Sequence, residues 1–266
     1  MSSHEILGFT ASILIGITLG LIGGGGSILT LPVLVYLLGI NPTVSTTYSL
    51  FVVGTTSLVG AVRYMQQRLV NYRAALAFSL PSFAAIYLTR TYLVPAIPDP
   101  VFSTPAFYLS KNVAIMVVFA LVMLAASGSM IRDHRIETDA DQNRISPNLL
   151  ATEGVLVGIL TGVVGAGGGF LIIPSLVLLA RLPIKMAVGT SLLIIAANSL
   201  IGFLSGLSLT TIDWRFLLVF TALSILGILL GTYLTRFVSG PKLKKAFGWF
   251  VLAMGVYIIV KETFLQ

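Results

Sequence analysis

The residues of this chain best suited to chemistry are glycines. Gly23-Gly24-Gly25-Gly26 and Gly165-Ala166-Gly167-Gly168-Gly169 each interrupt a long apolar stretch. At membrane depth such a run leaves backbone groups without helical partners, which is tolerated only where the backbone is packed in protein or lines a cavity. A short helix is expected to start after each run, near Ser27 and near Gly169. The first N–H groups of a helix are unpaired and its dipole is positive at that end, so each start could hold an anion. Glycine would let the backbone approach it closely. The candidate contacts are Gly23, Gly25, Gly26 and Ser27 in the first run and Gly165, Gly167, Gly168 and Gly169 in the second. The competing reading is that small residues let helices pack tightly. For one GxxxG that reading prevails; two matched runs, each ahead of a short helix, favour a site.

Hydroxyls form the second constellation. Segment 43–62 carries Thr46, Thr47, Ser49, Thr55, Thr56 and Ser57, and segment 186–207 carries Thr190, Ser191, Asn198 and Ser199. A hydroxyl donates to an oxyanion without adding charge, although Ser and Thr also join helices to one another. Ser49, Thr56, Ser191 and Asn198 are the candidates for facing a pathway. Pro32 and Pro174, a turn past the helix starts, would free the carbonyls of Ile28 and Phe170. Ionisable residues within spans, the usual functional candidates, are almost missing: Glu5, Glu153 and Glu262 lie near segment ends. Arg73 and Arg215, beside Tyr72 and Trp214, read as interfacial anchors. There is no cysteine, and His4 and His134 do not form a metal pair on a helix. The glycine runs lack the Lys-Ser/Thr ending of a phosphate loop. Neither an enzyme nor a cofactor or metal site is expected.

The elements that must position these groups are membrane spans. Hydrophobic residues make up 56% of the chain, charged residues 9%, and the mean hydropathy is +1.00; a soluble domain carries about a quarter charged residues. Apolar segments fall at 5–22, 27–39, 43–62, 74–94, 113–131, 149–164, 170–180, 186–207, 216–235 and 246–262. The net charge of +7 fits basic loops between spans better than a nucleic-acid face. Met1–Glu5 lacks a positive n-region, so the first apolar segment is expected to be kept.

The chain repeats itself. Sliding it by 142 positions superposes Gly16, Gly20, Gly23, Gly25, Gly26, Pro32, Ser49, Ser57 and Gly60 on Gly158, Gly162, Gly165, Gly167, Gly168, Pro174, Ser191, Ser199 and Gly202. From Leu14 to Gly60, 17 of 47 positions are identical, and Asn71-Tyr72-Arg73 faces Asp213-Trp214-Arg215 in the same register. Repeat one is 5–131, the polar linker 132–148, and repeat two 149–262. A helix from 5 to 39 would be about 52 Å long, too long for a ~30 Å hydrocarbon core. Each glycine-broken pair is therefore a steeply broken helix or a hairpin that enters and returns. Hairpins would give each half three further crossings and invert the halves. One side would then hold 12 of the 16 basic residues, in loops 63–73, 132–148, 181–185 and 236–245. The positive-inside rule favours that arrangement, with both termini outside and the linker cytoplasmic.

Gly20-x-x-Gly-x-Gly-Gly-x-x-Leu-x-x-Pro32, repeated as Gly162-x-x-Gly-x-Gly-Gly-x-x-Leu-x-x-Pro174, resembles the sulfite exporter TauE/SafE family of membrane transporters. Gly189-Thr190-Ser191-Leu192 and Asp213-Trp214-Arg215 resemble it too. The resemblance covers nearly the whole chain and implies a secondary transporter for sulfite, thiosulfate, organosulfonates or related small anions. The chain departs from its own pattern at Ser27 against Gly169, at Tyr48 against Thr190, and in the longer link Pro95–Lys111. The expectation is an all-α polytopic protein of the cell (inner) membrane. It has two inverted repeats, each a glycine-broken hairpin plus three transmembrane helices, and it binds a small inorganic or organosulfur anion. A passive anion channel and a scaffold subunit without flux are the alternatives.

Overall fold

The computed structural model describes residues 3–24, 26–104, 107–132, 147–164, 169, 172–173, 176, 180, 182–207, 212–234 and 240–264. The first helix, α1 (Ser3–Ile22), closes with Gly23 N–H on the Leu19 carbonyl at 2.7 Å. Gly23 then adopts φ +74°, a left-handed conformation that glycine takes without penalty. The chain turns back into α2 (Gly26–Pro32). Gly26 lies against Ile15 and Leu19, and Gly8 against Leu38. The first pair is thus a hairpin with antiparallel arms, not a kinked single rod. Pro32 has no N–H to give, and from Val33 to Leu37 the helix widens into a π-turn, with Leu38 N–H on the Val33 carbonyl at 3.2 Å.

The helix α3 (Pro42–Gln66) starts on Asn41, whose side chain accepts from Thr43 N–H at 2.9 Å, with Pro42 in the first turn. Asn71 caps α4 (Tyr72–Leu88) in the same way, accepting from Ala74 N–H at 3.0 Å. That helix also widens, at Thr89–Leu93, before the short turn α5 (Val94–Ala96). The link after it corrects the all-α expectation locally. Pro95, Pro98 and Pro100 disfavour helix, and β1 (Phe102–Thr104) pairs antiparallel with β2 (Phe107–Leu109). There follow α6 (Lys111–Arg132), α7 (Pro147–Val164), α8 (Ile184–Gly206), α9 (Trp214–Leu234) and α10 (Gly240–Phe264).

Packing follows the small residues. On α1, Gly16 meets Ser224 and Gly227 of α9, and Gly20 meets Ile228 and Gly231. On α7, Gly158 meets Ser82 and Ala85 of α4, and Gly162 meets Ile86 and Thr89. Both pairs run parallel, and in each the missing side chain lets backbone touch backbone. Between them, α3 and α8 cross antiparallel: Leu50 lies against Gly202, Gly54 against Leu200, and Tyr64 against Gly189. The α6 and α10 helices pair at one flank. Among the described helices, the segments Pro42–Gln66, Lys185–Ser205 and Trp214–Leu234 are long and apolar enough to cross a membrane. In the first two, 72% of the apolar window is buried, against 39% in the third, so α3 and α8 form the centre. Around it, Leu76, Leu80, Leu218, Leu226 and Leu230 point outward, the apolar exterior a bilayer requires.

Candidate functional site

The described parts of the two glycine runs meet beside α8. Gly24 and Gly169 lie backbone to backbone, and a methyl on either would strike the other. Gly169 also abuts Ile195 of α8. The Ser191 hydroxyl donates to the Gly23 carbonyl at 2.8 Å and shares its proton with the Val188 carbonyl at 2.8 Å. Ser191 therefore pins the turn of the first hairpin. Gly26 points its missing side chain into α1, and Ser27 continues α2. Gly25, Gly165, Gly167 and Gly168, together with Pro174, lie outside the described residues.

A second locus is the crossing of α3 and α8, whose register sets Thr56 level with Asn198. Thr56, Ser57 and Ser199 are fully buried, and their hydroxyls have no hydrogen-bond partner among the described residues. Asn198 donates through Nδ2 to Ser82 Oγ of α4 at 2.8 Å, while its Oδ1 has no partner among them. Ser49 is buried with its hydroxyl likewise unmatched, but it sits two turns from Thr56 towards the N-terminal end of α3. The structure thus gathers Gly23, Gly169 and Ser191 at one place and Thr56 with Asn198 at another, and leaves Ser49 apart from Ser191.

The repeat-related hydroxyls Tyr48 and Thr190 share a task despite their different types. Asn71 N–H donates to Thr190 Oγ1 at 2.9 Å, and Asp213 N–H donates to the Tyr48 hydroxyl at 2.7 Å. Each satisfies the backbone at the residue before a helix distant in sequence: Tyr48 of α3 serves α9, and Thr190 of α8 serves α4. Tyr72 and Trp214, the first residues of those helices, are exposed, as interfacial anchors would be.

Sequence reasoning missed Arg90. Counted with the loop charges, it belongs instead to the π-turn Thr89–Leu93 and is only 2% exposed. Its Nη2 donates to Thr46 Oγ1 of α3 at 2.9 Å, and its Nη1 to the Gly202 carbonyl of α8 at 3.3 Å. Its Nε has no partner among the described residues. The signal was a lone Arg near the end of the apolar stretch 74–94, beside threonines.

A glycine-broken hairpin, a central antiparallel crossing with unmatched hydroxyls and an apolar exterior make up the frame in which the doubled glycine motif sits. The family model described as sulfite exporter TauE/SafE matches the chain over residues 8–258. The chain belongs to the sulfite exporter TauE/SafE family. Relatives along nearly the full TauE/SafE frame bear transporter names. A "Probable membrane transporter protein" of Xylella fastidiosa (strain 9a5c) is 29% identical over 252 residues, covering 92% of this chain and 91% of that protein. "Probable membrane transporter protein YunE" of Bacillus subtilis is 27% identical over 250 residues, covering 86% and 89%. "Probable membrane transporter protein YjnA" of the same organism is 26% identical over 256 residues, covering 92% and 96%. No solved structure matches. The chain is a membrane protein of a transporter family, and its relatives are named as transporters, not as enzymes.

Proposed function

We propose that this chain is a secondary transporter of small sulfur-containing oxyanions (sulfite, thiosulfate or organosulfonates), multi-pass in the cell membrane and built as two inverted repeats. The observation that carries the reading is the unmatched polar band at the α3–α8 crossing. A buried polar group without a partner costs about 1–3 kcal/mol, and a protein keeps several together where something else satisfies them. Hydroxyls donate to an oxyanion. A cation site would call for carboxylates, and no Asp or Glu is fully buried among the described residues.

The packing supports inversion. The parallel pairs α1–α9 and α4–α7 exchange under the repeat, and so do the Asn71–Thr190 and Asp213–Tyr48 hydrogen bonds. The α3 and α8 helices, which the 142-residue offset aligns, run antiparallel, and this favours inverted over parallel halves. Substrate would lie at the α3–α8 crossing, against Thr56 and Asn198, with Gly23, Gly169, Ser191, Ser49, Gly25, Gly26, Ser27, Gly165, Gly167 and Gly168 lining its approaches. The halves would rock about this point.

Ligand-dependent thermal stabilisation of the purified chain tests the substrate class. Sulfite, thiosulfate, sulfate, taurine and sulfoacetate are compared with Na⁺ and amines at matched ionic strength. Stabilisation by at least one sulfur oxyanion is expected. Stabilisation by cations alone would sink the reading.

A further inference from the structure

Among the described residues Arg90 meets no counter-charge. Among the described residues it alone combines a formal charge with full burial. Its hydrogen-bond partners there, Thr46 Oγ1 and the Gly202 carbonyl, are both neutral. The acids on neighbouring elements are remote or turned to solvent. Glu153 sits on α7 beside Gly154, which packs on Phe78, so it lies about 18 Å along α4 from Arg90 at 1.5 Å per residue. Asp99 and Asp213 are exposed, accepting from Lys111 N–H at 3.2 Å and Phe216 N–H at 3.1 Å.

A buried ion stripped of water is costly unless an opposite charge meets it. A guanidinium carries five N–H donors, and two are engaged here. The free set includes Nε–H and a second hydrogen on the neighbouring Nη, the fork that grips two oxygens borne on one atom. Arg90 also lies beside the second glycine-broken segment, since Gly162, one turn before that run, packs on the side chain of Thr89. The π-turn that carries it is a helix irregularity common at functional sites.

We propose that Arg90 is a substrate-binding residue whose counter-ion is the transported oxyanion, gripped through Nε and Nη, with Thr46 and the Gly202 carbonyl holding the fork in place. This rests on the oxyanion-transporter reading and deepens it. The site prefers an anion with two oxygens on one atom, such as sulfite or a sulfonate, to a halide.

Affinity and unfolding temperature of the purified full chain are measured with sodium sulfite, sodium thiosulfate and sodium chloride at equal ionic strength, for wild type, Arg90→Met and Arg90→Lys. Wild type is expected to bind the oxyanions and not chloride. Arg90→Met should unfold no earlier than wild type without ligand, since it removes an unpaired buried charge, and should lose the oxyanion response. Arg90→Lys keeps the charge but not the fork and should bind at least about tenfold more weakly. Oxyanion binding in wild type that survives undiminished in Arg90→Met overturns this inference alone. So does an Arg90→Met chain that fails to fold, if Arg90→Lys also fails to fold or binds as wild type does. No oxyanion response in wild type overturns the transporter reading as well.

Discussion

Arg90 and Thr232, which the 142-residue offset aligns, sit beside similarly packed glycines, but Arg90 lies in the π-turn Thr89–Leu93 and Thr232 in the regular helix α9. Gly202 is flanked by Leu50 and Ile86, and Gly60 by their equivalents Leu192 and Ile228. Yet the Gly202 carbonyl accepts from a guanidinium, whereas Thr232 turns its hydroxyl back to the Leu229 carbonyl at 3.0 Å. Thr46, which holds the guanidinium, is matched by Val188, an apolar residue packed on Gly23. The packing glycines and the capping hydroxyls recur at the 142-residue offset, and their work is the same at both places. Among the described residues, buried charge lies on the Arg90 side only. In the proposed inverted repeat the frame is two-fold; the electrostatics, and with them the asymmetry between the two ends of the proposed pathway, are not.

The largest effects should come from the shared frame. A methyl at Gly16 would strike the Ser224 carbonyl, and one at Gly158 the Ser82 carbonyl. Overpacking of this kind costs about 1–3 kcal/mol. Gly16→Val and Gly158→Val should therefore both collapse the yield of monodisperse protein, and to a similar degree. If only one does so, the frame is not two-fold. Next in size is Thr46→Val, which makes the Arg90 half resemble the other. Loss of a hydrogen bond to a charged group is worth about 1.5–3 kcal/mol, so oxyanion affinity should fall by roughly tenfold or more, while Val188→Thr should leave it within about threefold. Equal effects of the two substitutions would erase the proposed asymmetry. Smallest are the capping contacts. Tyr48→Phe and Thr190→Val each remove the acceptor of one backbone N–H and should each cost about 1 kcal/mol in thermal unfolding. A cost at one site alone would show that the two hydroxyls do different work.

The frame was largely legible because it rests on local chemistry. A glycine run breaks a helix wherever it occurs, and self-similarity at an offset of 142 residues is visible without coordinates. The site was harder to read. Gly24 and Gly169 touch only in the folded chain, and no spacing within either run announces it. Ser191 has the composition of a ligand contact, but its proton is committed to the Gly23 and Val188 carbonyls, a tertiary fact. Arg90 escaped because a single basic residue a few positions before Pro95 looks like the end of a span. The π-turn at Thr89–Leu93 inserts an extra residue and swings the rest of the helix by about 100° around the axis. Hydrophobic periodicity counted at 3.6 residues per turn cannot see that rotation.

The membrane orientation of the frame is open to a simple probe, because the chain has no cysteine of its own. A single Cys at position 140 should stay unlabelled by an impermeant reagent in intact cells and react after permeabilisation. Labelling in intact cells would contradict a cytoplasmic linker between inverted halves.

The most direct test of the central claim is counterflow in liposomes containing only the purified chain. Vesicles are loaded with unlabelled sulfite or thiosulfate, and entry of the labelled anion is followed over a range of external concentrations. A secondary transporter with one oxyanion site predicts saturable entry that internal oxyanion accelerates and internal chloride does not. Entry that rises linearly with concentration and ignores the internal anion would mean a channel, and no entry above protein-free vesicles would contradict the account altogether.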